Sequence, residues 1–213
     1  MTNYEMPSGL RILVAALLAL LCCAPGCATK SRVRYYSLNL PAAPPSVSNP
    51  NGVSIAVGRI EMAAALQDGR ILYRSGKTGA GAYENDRWSE PPAAAMRDGL
   101  IRLLAASGKY RWVSQPGNSV ASDYVVRGKL YEFSEIDEPA LHTRASLGVE
   151  VYDHKQSRIV CQREFSQEQP VAGRKNVSDV AESLDAATQA LLVQAVDAIN
   201  VCLAEKQNDT ASK

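Results

Sequence analysis

Little in this chain is built for covalent chemistry. It carries two histidines, His142 and His154, and five cysteines, three of which fall within the first 27 positions. A protein-held metal normally needs several His and Cys ligands at short spacing, and these residues do not supply such a set. There is no glycine-rich phosphate loop of the Walker type, no Gly-x-Ser-x-Gly elbow and no His-Glu-x-x-His pair. Asp137 and Glu138 stand beside Pro139 in a charged turn, whereas a pair of catalytic carboxylates needs an enclosing cleft. These absences argue against an enzyme, and no cofactor or metal is implied. Charge of one sign is missing too: 23 Lys and Arg face 22 Asp and Glu, well mixed along the chain. That balance indicates neither nucleic acid nor a strongly acidic partner.

The N-terminus supplies the first positive signal. Arg11 precedes an apolar run, Ile12 to Leu21, and Ala24-Pro25-Gly26 leads into Cys27. The run is about half the 20 or so apolar residues that a spanning helix needs, so residues 1–26 read as a cleaved signal peptide. Gly26 is the small residue a bacterial lipobox requires before its cysteine. Cys22 and Cys23 compete poorly, because Leu21 and Cys22 precede them. Cys27 is therefore the expected lipidation site, with ordinary secretion and a free Cys27 as the alternative. Palmitate and related chains on one cysteine bury about 0.8 kcal/mol per methylene, and several chains anchor durably. Ala28 stands where an Asp would favour the inner membrane, so the expected location is the cell outer membrane, periplasmic face. Lys30, Arg32 and Arg34 follow the anchor, either as head-group contacts or as a solvated tether.

Beyond the signal the chain is long enough for one domain with a substantial core. Residues 27–52 read as lipid anchor, a short strand at Arg34–Leu38 and a proline-rich linker. Residues 53–206 read as one α+β domain, and 207–213 as a polar tail. Val53, Ile55 and Val57 alternate as in a half-buried strand, and 71–74 with the glycine-rich turn 75–81 has hairpin grammar. Ser89 and Glu90 are placed to cap a helix from about 91 to 107, whose stripe includes Met96, Leu100 and Leu104. Strands follow at 110–113, 124–133, 140–153 and 158–166. In the third of these, Thr143, Ala145, Leu147, Val149 and Val151 share one face. A closing helix over 177–204, capped by Asn176 or Ser178, carries Val180, Leu184, Leu191, Ala195 and Cys202 on its apolar stripe. The expected architecture is a mostly antiparallel sheet with two amphipathic helices packed on one face. In an oxidising compartment Cys161 and Cys202 have two roles open to them: a disulfide, or two small buried hydrophobes.

Several short segments, in order, carry a resemblance: Tyr35-Tyr36-Ser37-Leu38 soon after the lipobox, Ile55-Ala-Val57-Gly-Arg-Ile60, Leu66-x-x-x-Arg70-Ile71-Leu72-Tyr73-Arg74, and Arg87-Trp88-Ser89-Glu90-Pro91 leading into a helix. With Ala121-Ser-Asp123-Tyr124 and Glu132-Phe133, the chain resembles the ABC-type transport auxiliary lipoprotein family, the PqiC-like proteins, over nearly all of its mature length. It departs from that pattern at Met62-Ala63-Ala64-Ala65, which lacks a turn proline, and at Pro92, which replaces a leucine.

The resemblance implies a periplasmic accessory lipoprotein that docks to the MCE component of an intermembrane lipid transport system. A homo-oligomer is also compatible with it. A competing reading is an envelope lipoprotein that regulates or assembles another machine, such as a cell-wall synthase activator or a lipopolysaccharide-assembly component. Tyr73, Arg74, Arg87 and Trp88 are the partner-interface candidates, because aromatic and arginine side chains dominate interfaces. For Trp88 the alternative is burial beneath the first helix. Mass spectrometry of the mature N-terminus should find a diacylglycerol-modified Cys27, and Cys27→Ser should leave the membrane fraction; an unmodified N-terminus elsewhere would refute the anchor.

Overall fold

The computed structural model describes Gly9 and residues 32–40, 48–117, 121–172 and 176–211. Cys27, nearly all of the expected signal peptide and most of the proline-rich linker lie outside the described residues. The chain enters the fold at β1 (Arg34–Tyr36), followed by β2 (Ser54–Met62), a 3-10 turn (Ala64–Leu66), β3 (Arg70–Ser75) and β4 (Gly79–Trp88). Helix α1 (Pro92–Ala106), β5 (Trp112–Ser114), β6 (Tyr124–Ile136), β7 (His142–Asp153), β8 (Arg158–Pro170) and α2 (Val177–Ala211) complete it.

The alternation of apolar and polar residues gives the buried faces directly. Ile55, Val57 and Ile60 of β2, Val126, Leu130 and Phe133 of β6, and Ala145, Leu147 and Val151 of β7 are buried in one core. Helix α1 adds Met96, Leu100 and Leu104, and α2 adds Val180, Leu184, Leu191, Leu192 and Ile199. Fully burying one such side chain contributes about 1.5–3 kcal/mol, so this cluster is the main source of stability. Helix α1 packs on β2 and β5, α2 packs on β7 and β8, and the helices touch each other. Tyr110 hydroxyl donates to Asn200 at 2.6 Å, a buried polar link between the β5 approach and α2.

The sheet corrects the expectation of a mostly antiparallel arrangement. It is mixed: β3–β4, β6–β7 and β7–β8 run antiparallel, whereas β1–β4, β2–β5, β2–β6 and β3–β6 run parallel. Period-2 patterning reports which face of a strand is buried and is silent about its direction. Helix α1 supplies the crossover that a parallel return from β2 to β5 requires.

Local differences have local causes. Ser89 does not cap α1: its N–H donates to Tyr36 O at 2.7 Å and its hydroxyl pairs with Ser37 at 2.8 Å. The cap position is Pro91, with Pro92 at the start of the helix and no acidic residue in the first turn, so Glu90 lies outside it. Proline at the first helical position sacrifices no hydrogen bond, which lets the helix start without a side-chain cap. Asn176 does cap α2, accepting Asp179 N–H at 3.0 Å. That helix runs on to Ala211, into the segment expected to be a polar tail. Strands β6 and β8 likewise extend beyond their expected ends, because ladder pairing continues through polar residues.

Asp123 ties the lower end of the sheet together. Burial alone would raise its pKa, but hydrogen bonds from Lys155 and from the Ser54 amide and hydroxyl outweigh it and hold the carboxyl at about 2. At the far side, Cys161 of β8 and Cys202 of α2 form a disulfide, with α-carbons 6.4 Å apart. It closes a loop of 41 residues, a length for which chain entropy gives about 4 kcal/mol. Replacing both cysteines with alanine should lower unfolding free energy by about 3–4 kcal/mol in denaturant titration. Reactive thiols at both positions in the unfolded, unreduced protein would contradict the bond.

Candidate functional site

One edge of β6 serves two strands in succession. Residues 124–130 pair with β2, ending at Leu130 opposite Met62, and the edge resumes with Ser134 opposite Leu72 of β3. Tyr131, Glu132 and Phe133 fall between, in register with neither strand. On the other edge, Leu130 faces Leu147 and Glu132 faces Ser146, so Tyr131 is the extra residue of a β-bulge. Bulges re-aim a side chain and interrupt pairing, and here both happen at one place.

The interruption opens a cleft of about 540 Å³, within the range of small-ligand and side-chain pockets. Ala63 and the 3-10 residues Ala64 and Leu66 form one wall, Ala80 and Ala82 of β4 another, and Phe133 lies at the back. Leu66 is buried whereas Ala63, Ala64 and Ala65 are exposed, so the turn closes the base and leaves the mouth free. The rim is charged and balanced. Arg70 pairs with Asp68 at 2.6 Å, and Arg74 pairs with Glu132 at 3.0 Å. Arg144 approaches the same Glu132 at 3.7 Å.

Two tyrosines lie flat across glycines of neighbouring strands. Tyr73 stands opposite Gly81, where a Cβ would come within 2.5 Å of the phenol oxygen, so only glycine leaves room for the ring. Tyr131 covers Gly148, where a Cβ would meet the ring at 2.9 Å, and Lys129 sits 5.2 Å from the ring centre. Tyr73 packs edge-on against Tyr83 at 5.3 Å. The Tyr83 hydroxyl donates to the fully buried Glu135. Burial first, and then Glu135, push the Tyr83 pKa well above the ordinary phenol value, so it stays a neutral donor. The cleft wall is thus fixed from behind.

Beyond Tyr131 a second hollow of about 640 Å³ opens on β2, β6 and β7. Its lining mixes apolar and charged groups, among them Val125, Val149, Arg59, Lys129, Glu61 and the Arg127–Glu150 pair at 3.4 Å.

The structure separates the four interface candidates. Tyr73 and Arg74 line the cleft, and Arg87 stands near its edge, donating to Asp68 O at 3.3 Å. Trp88 does not belong with them: it is 5% exposed and packs on Phe133 at 5.3 Å, so of its two roles the buried one is seen. His142 and His154 sit at opposite ends of β7, and His142 Nδ1 is engaged with Ala140 O at 2.7 Å. Among the described residues no group of three or more His, Cys, Asp or Glu side chains could hold a metal. This arrangement can bind and position. Sequence reasoning missed Tyr131 and the alanine wall; the signal available was Gly148, an isolated glycine inside a strand pattern, which marks close approach, while Gly81 was absorbed into the glycine-rich turn.

A family model described as the ABC-type transport auxiliary lipoprotein component matches residues 36–196. This chain belongs to that family. It is thereby a member of a lipoprotein family that serves ABC-type transport. No curated protein matches the chain. Among solved structures, protein XCC0632 from Xanthomonas campestris, of the DUF330 family, is 17% identical with a TM-score of 0.72, covering 83% of this chain and 99% of its own. A second, an uncharacterised protein, is 15% identical with a TM-score of 0.62, covering 79% and 99%. At these identities the likeness is one of fold. Truncating Trp88 to alanine should cost about 3–5 kcal/mol of folding stability, read as a lowered denaturation midpoint; an unchanged midpoint would contradict its place in the core.

Proposed function

We propose that this lipoprotein is anchored in the outer membrane through Cys27 and acts as a docking partner for the MCE component of an intermembrane lipid transport system. The observation that carries the reading is the family match over most of the mature chain. The cleft at this fork, where the edge of β6 passes from β2 to β3, agrees with a binding role: its mouth is open, its walls are small and apolar, and its rim offers Tyr73 and Arg74. Buried aromatic and arginine contacts surrounded by a polar rim are where interface energy concentrates. An anchored module also raises the effective concentration of its partner without any new contact. Arg87 borders the same surface and extends it toward β1.

The test is capture of the MCE-domain protein encoded in the same genome by the immobilised mature domain. Ala64→Trp fills the cleft from an exposed position and should weaken capture by about 2 kcal/mol, roughly 30-fold, while the melting curve stays in place. A tryptophan at the exposed Gln156 should leave capture unchanged. No detectable capture by the wild-type domain, with the anchored protein equally silent in cells, would overturn the reading.

A further inference from the structure

The level at which the chain enters the sheet, together with the length of the tether, limits which pole of the domain can reach the membrane. β1 runs parallel to β4, with Tyr35 opposite Arg87. β4 runs antiparallel to β3, with Arg87 opposite Arg70 and Gly79 opposite Ser75. Stepping back from Tyr35 toward the N-terminus therefore moves in the same sense as stepping from Arg70 to Ser75, toward the β3–β4 hairpin. The β6–β7 turn shares that pole, since Arg74 is opposite Ile136 and Asp137 accepts Gly76 N–H at 3.3 Å.

β1 is held firmly enough to transmit this direction. Asp86, 4% exposed, takes Arg34 Nε at 2.7 Å, Arg34 Nη2 at 3.0 Å and the Tyr36 hydroxyl at 3.0 Å. Distances along the sheet then follow from strand rise. Arg70 to Ser75 is about 17 Å, and Val33 lies about 7 Å from the level of Tyr35 in the same direction. The last hairpin pair is therefore about 10 Å beyond Val33. Cys27 is six residues before Val33 and, whatever the path between them, no more than about 21 Å away. A cysteine acylated into the bilayer holds Val33 within about 21 Å of the head groups. The level of Tyr124, ten residues before Ser134 on β6, is about 30 Å from Val33 and beyond that reach, whereas the hairpin end is about 10 Å from it, so of the two poles only the hairpin pole can rest on the membrane. The tip residues Gly76, Lys77 and Thr78 are exposed, and a lysine stem can lie along apolar surface while its amine stays among polar groups.

Resting on the anchor reading above, we infer that the pole formed by the β3–β4 hairpin and the β6–β7 turn sits on the bilayer, with Lys77 among lipid head groups. The pole with the 153–158 turn is presented away from it. Asp137 and Glu138 stand beside Gly76, the residue before Lys77, so this pole carries both signs of charge and its contact with the membrane is set by tether length, without dependence on anionic lipid.

The experiment uses the full chain, acylated on Cys27, in phosphatidylcholine vesicles containing a lipid with a nitroxide-labelled head group. A fluorophore is attached through Lys77→Cys or, separately, through Gln156→Cys. Emission from position 77 should fall more than twofold and that from position 156 should stay unchanged. Inserting ten Gly/Ser residues between Arg32 and Val33 should restore most of the emission at position 77. Equal quenching at both positions, or quenching at 77 that ignores the longer tether, would overturn the inference while leaving the anchor intact. Failure of the protein to float with vesicles, together with an unmodified Cys27 by mass spectrometry, would overturn the anchor reading and this one with it.

Discussion

A single strand edge governs this structure: β6 must pair with β2 along its first half and with β3 along its second. Two strands cannot abut end to end without leaving residues unpaired, and the unpaired stretch is Tyr131 to Phe133. The alanine-rich 3-10 turn that joins β2 to β3 has to cross this gap, which is why small residues stand there. The bulge at Tyr131 relieves the mismatch on the opposite edge and turns its ring over Gly148. The cleft is thus a consequence of topology, and it persists because the core behind it is closed by Leu66, Ile71 and Phe133.

The same topology joins the sheet to the chain's N-terminus. β4 extends through Trp88 because it pairs on one side with β3 and on the other with β1, and Asp86 anchors that second pairing. Trp88 is buried by this arrangement, which removes it from any interface and makes it a support for the surface that Tyr73, Arg74 and Arg87 occupy. One edge of the cleft is therefore structurally coupled to the strand that follows the lipid anchor. The same strand pairings that place β1 at this edge also hold the cleft wall.

Helices and buried faces were legible in the sequence because their signals are local. The stripe from Val180 to Ile199, the Asn176 cap and the inward set Thr143 to Val151 each depend on spacing within one element. Strand direction was not legible, since alternation is the same in either sense, and so the parallel pairing of β2 and β3 with β6 was missed. Ser89 looked like a cap by residue type, yet the two prolines after it moved the helix start and β1 claimed its amide. The cleft needs the fork, and the fork needs contacts between residues some 60 positions apart. Of the interface candidates, Tyr73 and Arg74 were picked by residue type and prove to share a cleft; Trp88, just before α1, had burial as its alternative, and that is the role the structure shows.

The central claim is that the fork cleft is where a partner protein docks. Site-specific photo-crosslinking in intact cells, with a benzophenone amino acid at Ala64, at Tyr73 or at Gln156, tests it most directly. The account predicts a covalent adduct with the MCE-domain protein from positions 64 and 73 and none from position 156. Adducts from position 156 alone, or from no position in cells where the protein is anchored and folded, would contradict it.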